Sequence, residues 1–528
     1  MERSMIVNGA GIAGLATGCY GQMNGYRTRI FEMHDKPGGL CTAWKRRGYT
    51  IDGCIHWLIG AGPGSSFYRV WEELGAVQER PMIYYDEFTR VEGPDGQALT
   101  VYTDIDRLAQ HLKTLSPTDS GLIEEYAAAL RRFTRIELFA LPILRPGEIL
   151  ARMLPAAGSL LKWGRISMGD FGARFQDPFL RRAFPLIHGY PPLPMAVHLT
   201  NLASMHIHTA GWPAGGSLEF ARAIERRYRE LGGEVHYRAR VDEILVEAGS
   251  ERGRGASPER GRWASPERGR GASPERSRGN NRATGVRLAD GSVHHADVVV
   301  SAADGYATIF GMLGGRYTDK QIRSYYAQEP EPDGYAVHVS LGVARDLSHE
   351  PHTIILLLDE PITAAGQTLE RLTVEHFSFD PAMAPPGKST IKVYLESAHG
   401  YWKDLYAERE RYKAEKERTA SAVIDQLERR FPGLREQIEM VDVATPMTTE
   451  RYTGNRRGTQ AWLPKKGSMR VLLKGMSKTL PGLDGFYMVG QWTGAMGGLP
   501  TVAAAGRNLV RLLCKRDGRA FVTTVPGQ

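Results

Sequence analysis

A chain of 528 residues, 42% hydrophobic and 24% charged, can build two or three cored domains and lacks the bias of collagen-like, disulfide-dense or disordered chains. The formal charge of +8 does not argue for nucleic acid, because half of the excess sits between Glu251 and Arg278, where eight arginines face four glutamates. Cys19, Cys41, Cys54 and Cys514 show no zinc-type spacing, so no metal site is expected and a reducing, cytoplasmic setting fits.

The first element is Ser4 to Asn8, a short apolar run read as a buried strand. With the fold starting at once, no secretory leader is expected. No window of about twenty apolar residues is present to span a bilayer. The setting expected is therefore cytoplasmic, with peripheral contact at the inner face of the membrane still open.

Gly9, Gly11 and Gly14 follow, then a helical apolar spacing from Leu15 to Met23 and a second strand, Thr28 to Glu32. Strand, glycine turn, helix and strand ending on an acid predict a dinucleotide site. Gly9 permits the tight turn, Gly11 lets backbone approach a pyrophosphate, and Gly14 lets the helix pack on the strand. The helix N-terminus offers bare N–H groups and the positive end of its dipole. Glu32, followed by Met33, would accept from the adenosine ribose hydroxyls.

The paired glycines Gly38 and Gly39, with Leu40, precede the short run Gly48 to Asp52. His56 follows that run and is a candidate for a group near the reacting centre. Between Ile136 and Arg174 apolar segments are interspersed with Arg145, Arg152, Lys162 and Arg165. That pattern suits either a patch on a membrane surface or a helix closing a substrate tunnel from within. His206 and His208 alternate and would share one strand face; core packing and proton transfer are both open to them. Without a third ligand they do not make a metal site.

Gly211 to Ser217 introduces a helix from Leu218 to Leu231, then strands at Glu234–Tyr237 and Val241–Val246. An eight-residue repeat rich in Arg, Gly, Ser and Pro interrupts the next hairpin at 249–283 and is too polar to order itself. Beyond it, Val298 to Val300 would return the chain to the first sheet. Ala336–Val343, Thr353–Leu358, Leu372–Ser378 and Thr390–Glu396 alternate as strands, and Glu408 to Phe431 reads as a helix. Finally, Leu483 to Val489 closes on Gly490 and Gln491. Gly494, Gly497, Gly498 and Leu499 then lead into a helix containing Val502, while Trp492 and Met496 read as packing.

These three glycine blocks, in order, resemble the phytoene desaturase, carotenoid isomerase and retinol saturase family of flavoproteins. The resemblance implies an α/β fold: an FAD-binding Rossmann-type domain of the two-dinucleotide-binding flavoproteins, a mixed-sheet substrate domain, and a helical, membrane-facing part. It assigns 1–64, 211–310 and 480–515 to the FAD domain and 65–210 with 311–479 to the substrate domain. It implies FAD as cofactor, held by Gly9, Gly11, Ile12, Ala13, Gly14, Glu32, Met33, Gly38, Gly39, Leu40, Val241, Gly490, Gln491, Gly498, Leu499 and Val502. In the family the backbone at Val241 meets the adenine, and an acid commonly stands where this chain has Gln491.

The implied reaction is oxidation, reduction or isomerisation of carbon–carbon bonds in a hydrophobic isoprenoid or polyene. The electron donor or acceptor stays unassigned, since no second nucleotide fingerprint is present. A flavin amine oxidase is the rival enzyme, disfavoured because Trp492 lacks an aromatic mate. A prenyl-binding carrier of the GDP dissociation inhibitor type is the non-enzymatic rival, disfavoured by the intact glycines.

Overall fold

The computed structural model describes residues 3–249, 281–327, 337–458, 477–493 and 498–527. The repeat at 250–280, Gly494, Gly497 and Met496 lie outside the described residues.

Strand β1 (Arg3–Asn8) is apolar on both faces, with Met5, Ile6 and Val7 all buried. That makes it a central strand of a parallel sheet. Helix α1 (Ile12–Met23) and strand β2 (Tyr26–Phe31) complete the first unit. The sheet continues with β3 (Glu234–His236), β4 (Val298–Ser301) and β5 (Phe486–Met488), in the order β3-β2-β1-β4-β5 with every pairing parallel. Three distant stretches of chain thus meet in one sheet, as the glycine blocks require. The helix Leu499–Arg516 crosses α1 so closely that a Cβ on Gly506 would lie 2.8 Å from the Thr17 nitrogen.

The hairpin Val241–Glu247 and Asn281–Leu288 packs beside this sheet. The Gly249 N–H reaches the Asn281 side-chain oxygen at 3.3 Å, so the chain leaves for the repeat and returns from it at one hairpin end.

A second, seven-stranded sheet runs Ile438–Ala444, Val337–Val343, Ser389–Leu395, Gln367–His376, Thr353–Ala364, Glu87–Glu92 and Ala98–Tyr102. Only the pairing of Thr353–Ala364 with Glu87–Glu92 is parallel. The helix Arg409–Arg430 covers one face through Val423, Ile424 and Leu427, against Val339, Leu341 and Val393. The opposite face carries Glu375, Lys392 and Tyr394 towards the segment that follows β2, where the Lys392 ammonium donates to the Asp52 carbonyl at 2.7 Å.

A helical layer packs on the far end of this sheet. At its centre the Tyr126 hydroxyl meets His198 Nε2 at 2.6 Å, and His198 Nδ1 meets His188 Nε2 at 2.9 Å. Among the described residues no helix is long and apolar enough to cross a membrane.

Burial pushes the His188 imidazole down to about 4 and His198 well below the ordinary histidine value. Both are neutral when folded, whereas the unfolded chain takes up protons near 6.5. Their contribution to stability is whole above about pH 6.5 and declines as the pH falls, with the His188 part spent below about 4. Urea midpoints measured across that window should fall in the wild type and fall less in His188→Asn. Equal slopes would show that the histidines are not buried as neutral groups.

Candidate functional site

The turn after β1 places Gly9 at φ +104°, and α1 begins at Ile12 with Gly11 as its cap. No side chain caps this terminus and no acid stands in its first turn. Its N–H groups therefore have no side-chain partner to compete with an anion. A Cβ on Gly14 would sit 1.9 Å from the Gly9 carbonyl oxygen, so only glycine allows the helix this close to the turn. Ile12 and Ala13 are buried beneath it.

The loop carrying Gly38 lies directly against this turn. The Gly38 N–H donates to the Ala10 carbonyl at 2.9 Å, and Gly39 approaches Gly11 so that an added Cβ would be 3.3 Å from its Cα. Met33, Gly39 and Leu40 are half-buried at the rim.

Glu32 follows the last residue of β2 with its carboxylate turned inward. Oε2 accepts from the Ala10 N–H at 2.7 Å and Oε1 from the His34 N–H at 2.8 Å. Burial pushes this carboxyl up, opposed by those N–H groups. Each oxygen keeps a lone pair for a ribose hydroxyl. The Ala239 N–H donates to the Glu32 carbonyl at 2.8 Å, which brings the buried Val241 to the same end of the sheet.

The C-terminal segment adds a second bare terminus. β5 leads to Gly490 at φ +107°, where an added Cβ would lie 3.7 Å from the Ala13 Cβ. Gln491 opens a short turn to Thr493, with Trp492 buried inside it. The helix Leu499–Arg516 is capped by Gly498 with no side-chain bond and no acid in its first turn. Leu499 and Val502 are half-buried on it and pack into the same core as α1. Two helix N-termini without a side-chain cap among the described residues, and glycine backbone at the carboxyl end of a parallel sheet, fit a pyrophosphate-bearing dinucleotide. When bound, such a group would supply hydride chemistry that no side chain can.

The three histidines fare differently. His206 and His208 do not share a strand. His206 ends the helix Met195–His206, and His208 stands in the following turn at φ +55°, before the strand Ala210–Pro213 begins. The alternation that suggested a strand is a helix end plus a left-handed turn. His206 Nδ1 accepts weakly from the Ile105 N–H at 3.4 Å, and the exposed His208 stacks on Tyr84. Among the described residues no three His, Cys, Asp or Glu side chains are grouped to hold a metal.

His56, in contrast, joins a charged chain that reaches across to the second sheet. Its Nδ1 lies 2.5 Å from Glu375 Oε1. Glu375 Oε2 accepts from the Tyr394 hydroxyl at 2.8 Å and faces the Lys392 ammonium at 3.5 Å. Burial would raise the Glu375 carboxyl, but His56, Lys392 and Tyr394 outweigh it and hold the group well below the usual carboxylate range. The Asp52 carboxylate, one residue before Gly53, accepts from the Ser217 N–H, the Ser217 hydroxyl and the Cys54 N–H at 2.7, 2.6 and 3.0 Å.

Glu375, Lys392 and Tyr394 were not singled out from sequence, although a signal existed. Lys392 and Tyr394 occupy one alternation of Ser389–Leu395 while Ile391 and Val393 occupy the other. A lysine on a fully buried strand demands a partner.

The arrangement defines a class first: a Rossmann-type dinucleotide-binding fold, with a parallel nucleotide sheet and a mixed sheet beside it. The model of an NAD(P)-binding Rossmann-like domain matches residues 7–74. A prolycopene isomerase of Arabidopsis thaliana is 23% identical over 527 residues, 95% of this chain and 81% of that one. A lycopene-forming phytoene desaturase of Pseudescherichia vulneris is 25% identical, covering 97% of this chain and 99% of its own. The structure of an oxidoreductase from Methanosarcina mazei superposes with a TM-score of 0.56 at 18% identity, over 96% of this chain and 100% of that one. The resemblance to phytoene desaturases and carotenoid isomerases therefore runs along nearly the whole chain.

If Glu32 holds the ribose, Glu32→Ala removes a charged acceptor worth about 1.5–3 kcal/mol. Titration of the apoprotein with the flavin dinucleotide should then show affinity lowered roughly ten- to hundredfold. Unchanged affinity would place the ribose elsewhere.

Proposed function

We propose that the chain is an FAD-dependent enzyme that desaturates, saturates or isomerises carbon–carbon bonds of a long hydrophobic polyene such as a carotenoid or retinoid. The observation carrying this reading is the pair of bare helix N-termini around Gly11 and Gly498, in a chain similar end to end to named phytoene desaturases and prolycopene isomerases. Residues 1–64, 211–310 and 480–515 would hold FAD: Gly9 to Gly14, Gly38 to Leu40 and Gly490 around the diphosphate and ribityl, Glu32 and Met33 at the adenosine, Val241 at the adenine. Gln491 would bond the ribityl hydroxyls through its amide. Leu499 and Val502 would bring their helix terminus to the flavin pyrimidine, where negative charge gathers on reduction. Residues 65–210 and 311–479 would enclose the polyene.

A substrate dissolved in lipid needs an entrance facing lipid. The helix Pro146–Gly164 exposes Leu150, Leu154 and Leu161 at 65%, 72% and 59%. At 100° per residue these three fall within about 40° of one another on one side of the helix. Arg165 borders them, whereas Arg152 and Lys162 lie farther round the helix and pair with Glu137 and Glu125 at 2.7 and 2.9 Å. We read this helix as a peripheral membrane contact, on the cytoplasmic face.

Two measurements test the reading. Purified protein should carry close to one FAD per chain, with absorbance bands near roughly 370 and 450 nm; protein that stays colourless with added FAD contradicts it. Replacing Leu150, Leu154 and Leu161 together by Asp should abolish co-sedimentation with vesicles containing phosphatidylserine and leave FAD loading unchanged. Retained sedimentation would move the membrane contact elsewhere.

A further inference from the structure

We infer that His56 is the proton-transferring group of this enzyme, presented by Glu375 through its Nδ1 and working through its free Nε2. The inference rests on the reading of a flavin enzyme acting on carbon–carbon bonds, and adds the residue that handles the proton.

Geometry carries it. His56 follows the cradle by two hydrogen-bonded steps: the Thr42 N–H donates to the Leu40 carbonyl at 2.9 Å, and the Gly53 N–H to the Thr42 carbonyl at 2.9 Å. The imidazole is 37% exposed, while Glu375 and Lys392 behind it are 10% and 0% exposed. A buried ionic chain thus ends on one accessible ring. Nε2 has no hydrogen-bond partner among the described residues, while Nδ1 is fixed by the 2.5 Å contact. A purely structural tie between the two sheets does not require this ring, because Lys392 already bonds the Asp52 carbonyl at 2.7 Å.

Charge balance leaves the proton free to come and go. Glu375 faces the Lys392 ammonium at 3.5 Å, so the buried pair is neutral without a proton on His56. The other titratable groups around the ring are held in one state. Burial keeps Tyr394 and Tyr85 as neutral phenols, the latter donating to the His56 carbonyl at 2.9 Å. His352, stacked on Tyr85, is pushed down by burial to about 3 and stays neutral. Asp52 is occupied by Ser217 and Cys54.

In the desaturating direction a bound flavin would supply the acceptor for the hydride of one substrate C–H. The neighbouring C–H breaks so that its pair becomes the new π bond and its proton goes to Nε2. The imidazolium formed is stabilised by the Glu375 carboxylate, and saturation runs the same atoms in reverse.

The test uses the FAD-loaded protein with phytoene in lipid vesicles. His56→Gln should keep the flavin spectrum and melting temperature, lose about a hundredfold or more in kcat, and change KM by less than about threefold. Added imidazole should restore part of the rate to His56→Gly. Glu375→Gln should move the acid limb of the pH–rate profile to lower pH, because it removes the charge that favours imidazolium. A His56→Gln enzyme within about threefold of wild-type kcat overturns the inference. The second readout is the ¹⁵N-histidine NMR titration of the loaded protein between about pH 5 and 9, with the His56 signal assigned by its loss in His56→Gln. Its midpoint should move in Glu375→Gln. A His56 signal that does not titrate, or is indifferent to Glu375, also overturns the assignment. Wild-type protein that leaves phytoene and other polyenes unchanged would count against the proposed function, and the NMR titration would still decide the His56–Glu375 pair.

Discussion

The rest of the molecule depends on a close approach of bare backbone. Gly14 must pass so near the Gly9 carbonyl that any Cβ there would overlap it, and a Cβ on Gly39 would press on Gly11 at 3.3 Å. These contacts bring the start of α1 to the end of β1 with its N–H groups unclaimed. The helix Leu499–Arg516 repeats the device from the other end of the chain and is pressed against α1 at Gly506. Two positive helix ends at one cleft would repel each other's dipoles without an anion to share. An anion such as a dinucleotide's pyrophosphate would relieve this.

A second constraint ties the nucleotide sheet to the sheet beside it. The residues that follow β2 reach into the second sheet through Asp52 and His56, and Lys392 and Glu375 meet them from the other side. Burying a lysine and a glutamate is costly unless each is fully bonded, and here each has a partner from another element. That cost sets the relative position of the two layers more sharply than apolar packing alone. It also leaves one ring, His56, at the end of the chain and open to whatever lies between the layers.

Much of the nucleotide half was legible in the sequence because it is written locally. Turn glycines, the acid at the end of β2 and the apolar runs of β1 and Val298–Ser301 each state their structure within a few residues. The charged chain was less legible, since Glu375 and Lys392 acquire meaning only when His376's strand and Val393's strand are paired in register. The hairpin Glu87–Glu92 and Ala98–Tyr102 went unread, although Pro94, Asp95 and Gly96 mark its turn. The strand Thr353–Ala364 runs past Leu358, where reading stopped, because a register shift between Leu357 and Ile362 accommodates Pro361 and the turn at Ala365 and Gly366 lets polar residues keep pairing. His206 and His208 misled because alternation over three residues cannot tell a strand from a helix end.

The most direct test of the central claim is the fate of a polyene on the loaded protein. Phytoene and prolycopene, each delivered in lipid vesicles without oxygen, would be incubated with protein whose FAD is oxidised or chemically reduced, then extracted and separated by chromatography. The account predicts a change in double-bond number or geometry that requires the flavin and disappears with apoprotein. Polyenes recovered unchanged in both flavin states, alongside bleaching of the flavin by a primary amine, would contradict it and point to amine oxidation instead.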